Sequence, residues 1–265
     1  MNASPIQLLG LPFDAKSSFL RGAAQAPDLI RQTLHNGSSN YLAENGIHIL
    51  EDIDLKDIGN VIVQDYQQLF QALAGHMRPD VPTVSLGGDH SITYPIVKAL
   101  HDKRGTFDLL LFDAHTDLYE EFEGDRYSHA CPFARIMEDG LVSRLVQVGI
   151  RSMTKHQHQQ AGRYGVEIIP MRELDRMDTL SFANPLYVSI DLDGFDPAFA
   201  PGVSHHEPGG LVPRDIINFL HQLDAQIIGA DIVEYNPIRD HAGITAALAA
   251  KLLKELAGII GMGNG

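Results

Sequence analysis

Cysteine is nearly missing from this chain: Cys131 is the only one in 265 residues. No intrachain disulfide is possible, which fits a reducing compartment. Basic residues are also scarce, with 20 Lys and Arg against 34 Asp and Glu and a formal net charge of −14. That balance excludes a basic nucleic-acid surface and is compatible with a cationic substrate, although a solvated acidic exterior accounts for most of it. No apolar run approaches the ~20 residues of a membrane span. The opening segment "MNASPIQLLGLPFDAKSS" carries no basic stretch ahead of its short apolar run, so neither a secretory signal nor a membrane partner is expected, and a cytoplasmic location is. There is no repeat, low-complexity block or Pro/Gly/Ser linker, so residues 1–265 are expected to form a single domain. The 44% hydrophobic content can build a large core.

Short apolar, β-rich runs recur along the chain: Ile6–Leu11, Ile47–Leu50, Thr83–Leu86, Phe107–Phe112, Leu145–Ile150, Val166–Ile169, Leu186–Ile190 and Gln226–Val233. Segments with helical spacing separate them. In "VQDYQQLFQALAGH", Tyr66, Leu69, Phe70 and Leu73 share one face. "PRDIINFLHQL" opens on Pro213 and aligns Ile216, Ile217 and Leu220. "ITAALAAKLLKELAGII" is rich in alanine and leucine. Strands alternating with helices predict an α/β protein with a mainly parallel sheet covered on both faces. Such sheets bind ligands beyond the carboxyl ends of their strands.

Four polar clusters lie just there. "TVSLGGDHS" holds Asp89 and His90; "LLLFDAHTD" holds Asp113, His115 and Asp117; "LYVSIDLDGFDP" holds Asp191, Asp193 and Asp196; "IIGADIVEYNP" holds Asp231 and Glu234. In extended backbone, residues at i and i+2 point the same way, so Asp113, His115 and Asp117 are expected to face one point, as are Asp191 and Asp193. Four carboxylates and two imidazoles brought together need cationic neutralisation. Two divalent ions balance four Asp charges. A set dominated by oxygen, with no sulfur, favours Mn²⁺ over structural zinc. A single loop Asp usually caps a turn, but four Asp and two His in three clusters after strands are better explained by metal.

"GGDHS", "DAHTD" and "SIDLDGFDP", in that order, resemble the three motifs of the ureohydrolase family of arginases and agmatinases. "SSFLRGAAQAPDLIR" and "GADIVEYNPIRD" resemble its terminal segments. "EGDRYSHACPFARIMEDG" and "DPAFAPGVSHHEPGGL" are most similar to plant-type arginases. The resemblance implies a three-layer α/β/α fold with an eight-stranded sheet, two Mn²⁺ ions per subunit, and a homotrimer or homohexamer. It implies one ion held by His90, Asp113, Asp117 and Asp191, and another by Asp113, His115, Asp191 and Asp193. His129 resembles the proton-shuttling histidine and Glu234 the glutamate that grips a substrate guanidinium.

The implied reaction cleaves the guanidino C–N bond of agmatine or arginine, releasing urea and an amine, putrescine or ornithine. Alternatives are another guanidino or formimidoyl hydrolase (guanidinobutyrase or formimidoylglutamase), or a non-catalytic metal-binding member. Ser128 and His205 are expected to touch the substrate tail, with Tyr127, Ser204 and His206 nearby. Asp89 is expected to support His90, Asp196 to organise a turn, and Cys131 to serve as packing. "LYEEFEGDRYS" departs from the polar loop that follows "DAHTD" in animal-type arginases. If its Glu120, Glu121 and Glu123 faced the pocket they would favour agmatine's ammonium over arginine's carboxylate, which tips the expectation slightly to agmatine.

Overall fold

The computed structural model describes residues 5–263. The chain runs β1 (Pro5–Leu11), α1 (Ala26–His35), β2 (Asp54–Asn60), α2 (Tyr66–His76), β3 (Thr83–Gly87), α3 (Thr93–Arg104), β4 (Phe107–Phe112), α4 (Pro132–Glu138), β5 (Val142–Ile150), α5 (Lys155–Tyr164), β6 (Glu167–Pro170), β7 (Leu186–Asp191), α6 (Pro213–Gln222), β8 (Ile227–Val233) and α7 (Ile244–Gly263). The eight strands form one sheet in the order β2-β1-β3-β8-β7-β4-β5-β6. Every neighbouring pair is parallel.

Alternate residues of each central strand feed two separate cores. In β4, Leu110 and Phe112 join the layer containing α1, α6 and α7, while Leu109 and Leu111 join the layer containing α2, α3 and α4. This is why the central strands read as unbroken apolar runs: both faces are covered, giving three layers, α/β/α. The expected helical stripes do the covering. Ile216, Ile217 and Leu220 of α6 are buried, as are Tyr66, Leu69 and Leu73 of α2. Each large apolar side chain so buried contributes roughly 1.5–3 kcal/mol.

One expected strand is absent and another takes its place. Ile47–Leu50 forms no strand of the sheet; it lies in a turn with a lone bridge between Leu42 and His48, and Ile49 plugs the core beneath. The second strand is instead Asp54–Asn60, whose sequence "DLKDIGN" is mostly exposed. It sits at the sheet edge, where charged residues deter pairing with another chain. It has no apolar pattern because most of its side chains are exposed to solvent.

Strands β3, β8, β7 and β4 are consecutive at the centre of the sheet. The four polar clusters follow these four strands, so the topology gathers them at one carboxyl rim.

Candidate metal centre

His90, Asp113, Asp117 and Asp191 each contribute an atom to a group lying within 4.8 Å of one another, and so do Asp113, His115 and Asp193. Asp113 belongs to both groups. His90 Nδ1 lies 2.9 Å from Asp191 Oδ2, 3.1 Å from Asp117 Oδ2 and 3.3 Å from Asp113 Oδ2. His115 Nδ1 lies 3.1 Å from Asp193 Oδ2 and 3.6 Å from Asp113 Oδ1. Despite this crowding, His90 Nδ1 and Asp113 Oδ2 are buried without a hydrogen-bond partner. Orphaned donor atoms pointing at a common centre are what a cation site requires. The oxygen-rich set fits hard divalent ions.

The convergence comes from turns rather than extended strand. β4 stops at Phe112, so Asp113, His115 and Asp117 lie in the loop beyond it. Asp113 Oδ1 accepts from His115 N, and Asp117 adopts a left-handed backbone with φ 47°. Asp191 ends β7, and its Oδ1 accepts from Asp193 N at the start of a 3-10 turn over Leu192–Gly194. The i, i+2 alternation expected from sequence is thus replaced by side-chain-to-backbone bonds two residues on, the usual Asx geometry. Gly194 is required there: a Cβ on it would lie 2.9 Å from the Asp113 Cα and N.

Burial sets the electrostatics of the bare cluster. It raises Asp113 to about 6, with the charges of Asp193 and Asp117 adding to it. Burial and the same crowding push Asp191 well above the carboxylate range. Burial alone would depress His90, but the carboxylates of Asp113, Asp117 and Asp191 overcome it and raise the imidazole strongly. Without a cation, protons must do the neutralising.

The group behind His90 is not Asp89. His90 Nε2 lies 3.1 Å from Ser189 Oγ, and Ser189 donates to Asp231 Oδ1 at 2.6 Å. Tyr187 and Thr93 hydroxyls donate to Asp231 Oδ2. Since the Ser189 proton goes to Asp231, its oxygen accepts from His90 Nε2–H, leaving Nδ1 as the ligand nitrogen. Asp89 instead ties down the neighbouring backbone, accepting from Ser91 N and Lys16 N.

His129 and Glu234 meet beside this cluster. His129 Nδ1 donates to Glu234 Oε1 at 2.9 Å, and the His90 backbone N–H donates to the same oxygen at 2.8 Å. Burial opposes charging His129, but the Glu234 carboxylate outweighs it and lifts the ring to about 9. On its far side, Nε2 meets the Ser18 Oγ at 2.8 Å and the Ser18 N–H at 3.2 Å. Glu234 holds φ 63°, a strained value for a non-glycine residue and a second such point in the site.

A cleft with an empty volume of about 640 Å³ opens over these groups. His115, Asp117, His129, Asp191, Asp193 and Glu234 line its floor, with His205, Ser18, Tyr119, Phe122, Ser152, Thr154 and Gln157 on the walls. His205 stands where expected, its ring 5.5 Å from His129 and 6.0 Å from His115. Ser128 does not reach the cleft; it is buried and its Oγ accepts from Ala130 N. Ser204 is occupied with Leu20 O and Asn236, exposed His206 bonds to Pro201 O, and Tyr127 packs on Tyr66 and Tyr94. Glu120, Glu121 and Glu123 are exposed and absent from the lining, which removes the acidic-rim reason for favouring agmatine. Asp196 accepts from Ala198, Gly209 and Gly210 N–H groups, the expected turn organiser. Cys131 is buried, and that burial pushes its thiol up to about 12, as suits a packing residue.

Three contributors escaped sequence reasoning. Ser18 and Gln157 lie far in sequence from any acidic cluster. Arg151, just after β5, donates to the carbonyls of Asp193, Gly194, Phe195 and Glu207 and so clamps the loop carrying Asp193. The only trace of it in the sequence is a cation at a strand end.

Comparison with known proteins agrees with this geometry. A family model described as "Arginase family" matches residues 4–258. The mitochondrial arginase of Medicago truncatula is 46% identical over 96% of this chain and 82% of its own length. A solved structure of an arginase from Medicago truncatula superposes with a TM-score of 0.93 at 45% identity, covering 97% of this chain and 88% of that one. The N(1)-aminopropylagmatine ureohydrolase of Thermus thermophilus is 34% identical over 91% of this chain and 86% of its own. With its rim of ligating residues, its sheet order and these relatives all in agreement, this chain is a ureohydrolase enzyme and belongs to the arginase family.

Proposed function

We propose that this enzyme hydrolyses the guanidino group of L-arginine, releasing urea and ornithine, with two Mn²⁺ ions per subunit. The observation that carries the reaction class is the His129–Glu234 pair set against the two groups of ligating residues. His90, Asp113, Asp117 and Asp191 would hold one ion; Asp113, His115 and Asp193 would hold the other, with Asp191 beside them. When bound, a divalent pair supplies positive charge and a nucleophile drawn from water at neutral pH.

The chain's own residues supply the rest. Glu234 spends Oε1 on His129 and the His90 backbone, and among the described residues Oε2 has no protein donor. That free oxygen is available to a guanidinium N–H, which holds the planar carbon over the ligand cluster. His129 sits one hydrogen bond from the same carboxylate, and its raised affinity keeps a proton available for the leaving amine. Ser18 Oγ and N–H meet the other ring nitrogen, Nε2, and fix the orientation of the ring. Tyr119 and Phe122 provide apolar wall for the methylene stem.

Arginine is favoured over agmatine by the 46% identity with the Medicago arginase and by the exposed placement of Glu120, Glu121 and Glu123. Agmatine has one point in its favour: among the described residues, no Lys or Arg lines the cleft to meet a carboxylate. The experiment is a colorimetric urea assay on Mn²⁺-loaded protein with arginine, agmatine and 4-guanidinobutyrate. A kcat/KM highest for arginine is expected. A preference for agmatine would overturn the substrate, and no urea from any of the three would overturn the reaction.

A further inference from the structure

We propose that Gln157 is a specificity-determining residue that donates its side-chain amide to the α-carboxylate of the substrate, an assignment that rests on the arginine reading above. Gln157 is the third residue of α5 and is only 4% exposed, yet it lines the cleft. Its orientation is not free. The Thr154 backbone N–H donates to Gln157 Oε1 at 2.9 Å, and the Thr154 hydroxyl donates to the same atom at 3.1 Å. A backbone N–H can only face an acceptor, so the amide cannot flip. In return, Gln157 N donates to Thr154 Oγ1, completing the capping box.

The oxygen end of this side chain is therefore consumed, and the nitrogen end is left over. Among the described residues Nε2 has no protein acceptor. An amide held in one orientation on the wall of a cleft, with its donor unspent, is available to an acceptor in the ligand. Ser152 lines the same cleft, and among the described residues its hydroxyl has no protein partner. A carboxylate satisfies both donors; an ammonium, as at the end of agmatine, offers the Gln157 N–H no acceptor and can only donate to the Ser152 oxygen. Gln157 thus supplies the discrimination that a cationic residue would otherwise give.

The test compares ligands that differ only in the carboxylate. L-Ornithine and putrescine are titrated calorimetrically into Mn²⁺-loaded wild type, Gln157→Glu and Gln157→Leu. Glutamate retains an acceptor for Thr154 N–H and suits the first turn of a helix, so Gln157→Glu should fold with an unchanged Tm. Loss of a hydrogen bond to a charged group, replaced by repulsion, is expected to weaken L-ornithine by about tenfold or more while leaving putrescine equal or tighter. Gln157→Leu should weaken L-ornithine without strengthening putrescine. For turnover, kcat/KM for arginine should fall through KM, with agmatine little changed. Equal changes for both amines, an unchanged affinity for L-ornithine, or no L-ornithine binding by wild type would each overturn the assignment. Absence of urea release by wild type would reject the reaction, and the amine titrations would still decide the role of Gln157.

Discussion

Ser189→Ala is the sharpest probe of how the metal centre is held. Ser189 is fully buried on β7 and touches neither ligand group through a carboxylate of its own. Its hydroxyl accepts from His90 Nε2 and donates to Asp231 Oδ1. Removing one oxygen atom leaves the His90 Nε2–H buried without an acceptor and deprives Asp231 Oδ1 of its donor, while Tyr187 and Thr93 still serve Oδ2. An unsatisfied buried polar group costs about 1–3 kcal/mol, so the metal-free protein should lose stability in that range. The ligand loses more. With nothing fixing the tautomer, His90 can rotate or carry its proton on Nδ1, and disruption of such supporting partners typically weakens metal affinity by about 10–100-fold. Urea denaturation of the apo protein gives the first quantity, and Mn²⁺ competition against a chelator gives the second. Asp89→Asn should disturb the loop that carries His90 but leave its tautomer alone, so its effect on Mn²⁺ affinity should be smaller than that of Ser189→Ala. Wild-type Mn²⁺ affinity in Ser189→Ala would refute the relay from His90 through Ser189 to Asp231.

Further outcomes follow from the same geometry. Asp113→Ala should lose both metals on elemental analysis, because Asp113 belongs to both ligand groups, whereas Asp117→Ala and Asp193→Ala should each retain close to one; two metals retained in Asp113→Ala would contradict the shared role. Gly88→Ala should fail to fold or lose more than about 3 kcal/mol by urea titration, since its Cβ would fall 1.9 Å from the Phe13 carbonyl oxygen; a soluble variant with wild-type stability would show that this approach can relax. Away from the site, buried Glu255 is opposed by burial but held below its ordinary value by Lys251, the Glu44 N–H and His221, and Glu44 is lowered to about 2 by Arg214 and Lys251. Depressed carboxylates bind fewer protons folded than unfolded, so their contribution is present above the ordinary value of 4.5 and lost as pH falls from there. Glu255→Gln should accordingly cost more stability at pH 6 than at pH 3.5 in urea titrations; an equal cost at both would remove the ionic contribution.

The sequence by itself was enough for most of the scaffold and for the ligand types. Buried parallel strands must be apolar on both faces, so seven of the eight announced themselves, and each of the four central ones ended in acids where the chain leaves the core. The edge strand Asp54–Asn60 did not, because solvent on one side permits "DLKDIGN". Nor did the turn at Ile47–Leu50, where core contact imitates a strand. What only tertiary structure decided were relations between residues far apart in the chain. Asp231, not adjacent Asp89, supports His90, because β7 and β8 are neighbours in the sheet and set Ser189 level with Asp231. Ser18 meets His129 across a sequence separation of 111 residues. Ser128 turned inward and Glu120, Glu121 and Glu123 turned out, although all lie close to His129 in sequence. Gln157 came to the cleft because a capping box at the head of α5 spent its oxygen and left its nitrogen. A side chain's chemistry is written in its residue type, but its direction and partners are set by backbone turns and strand order, which no local pattern encodes.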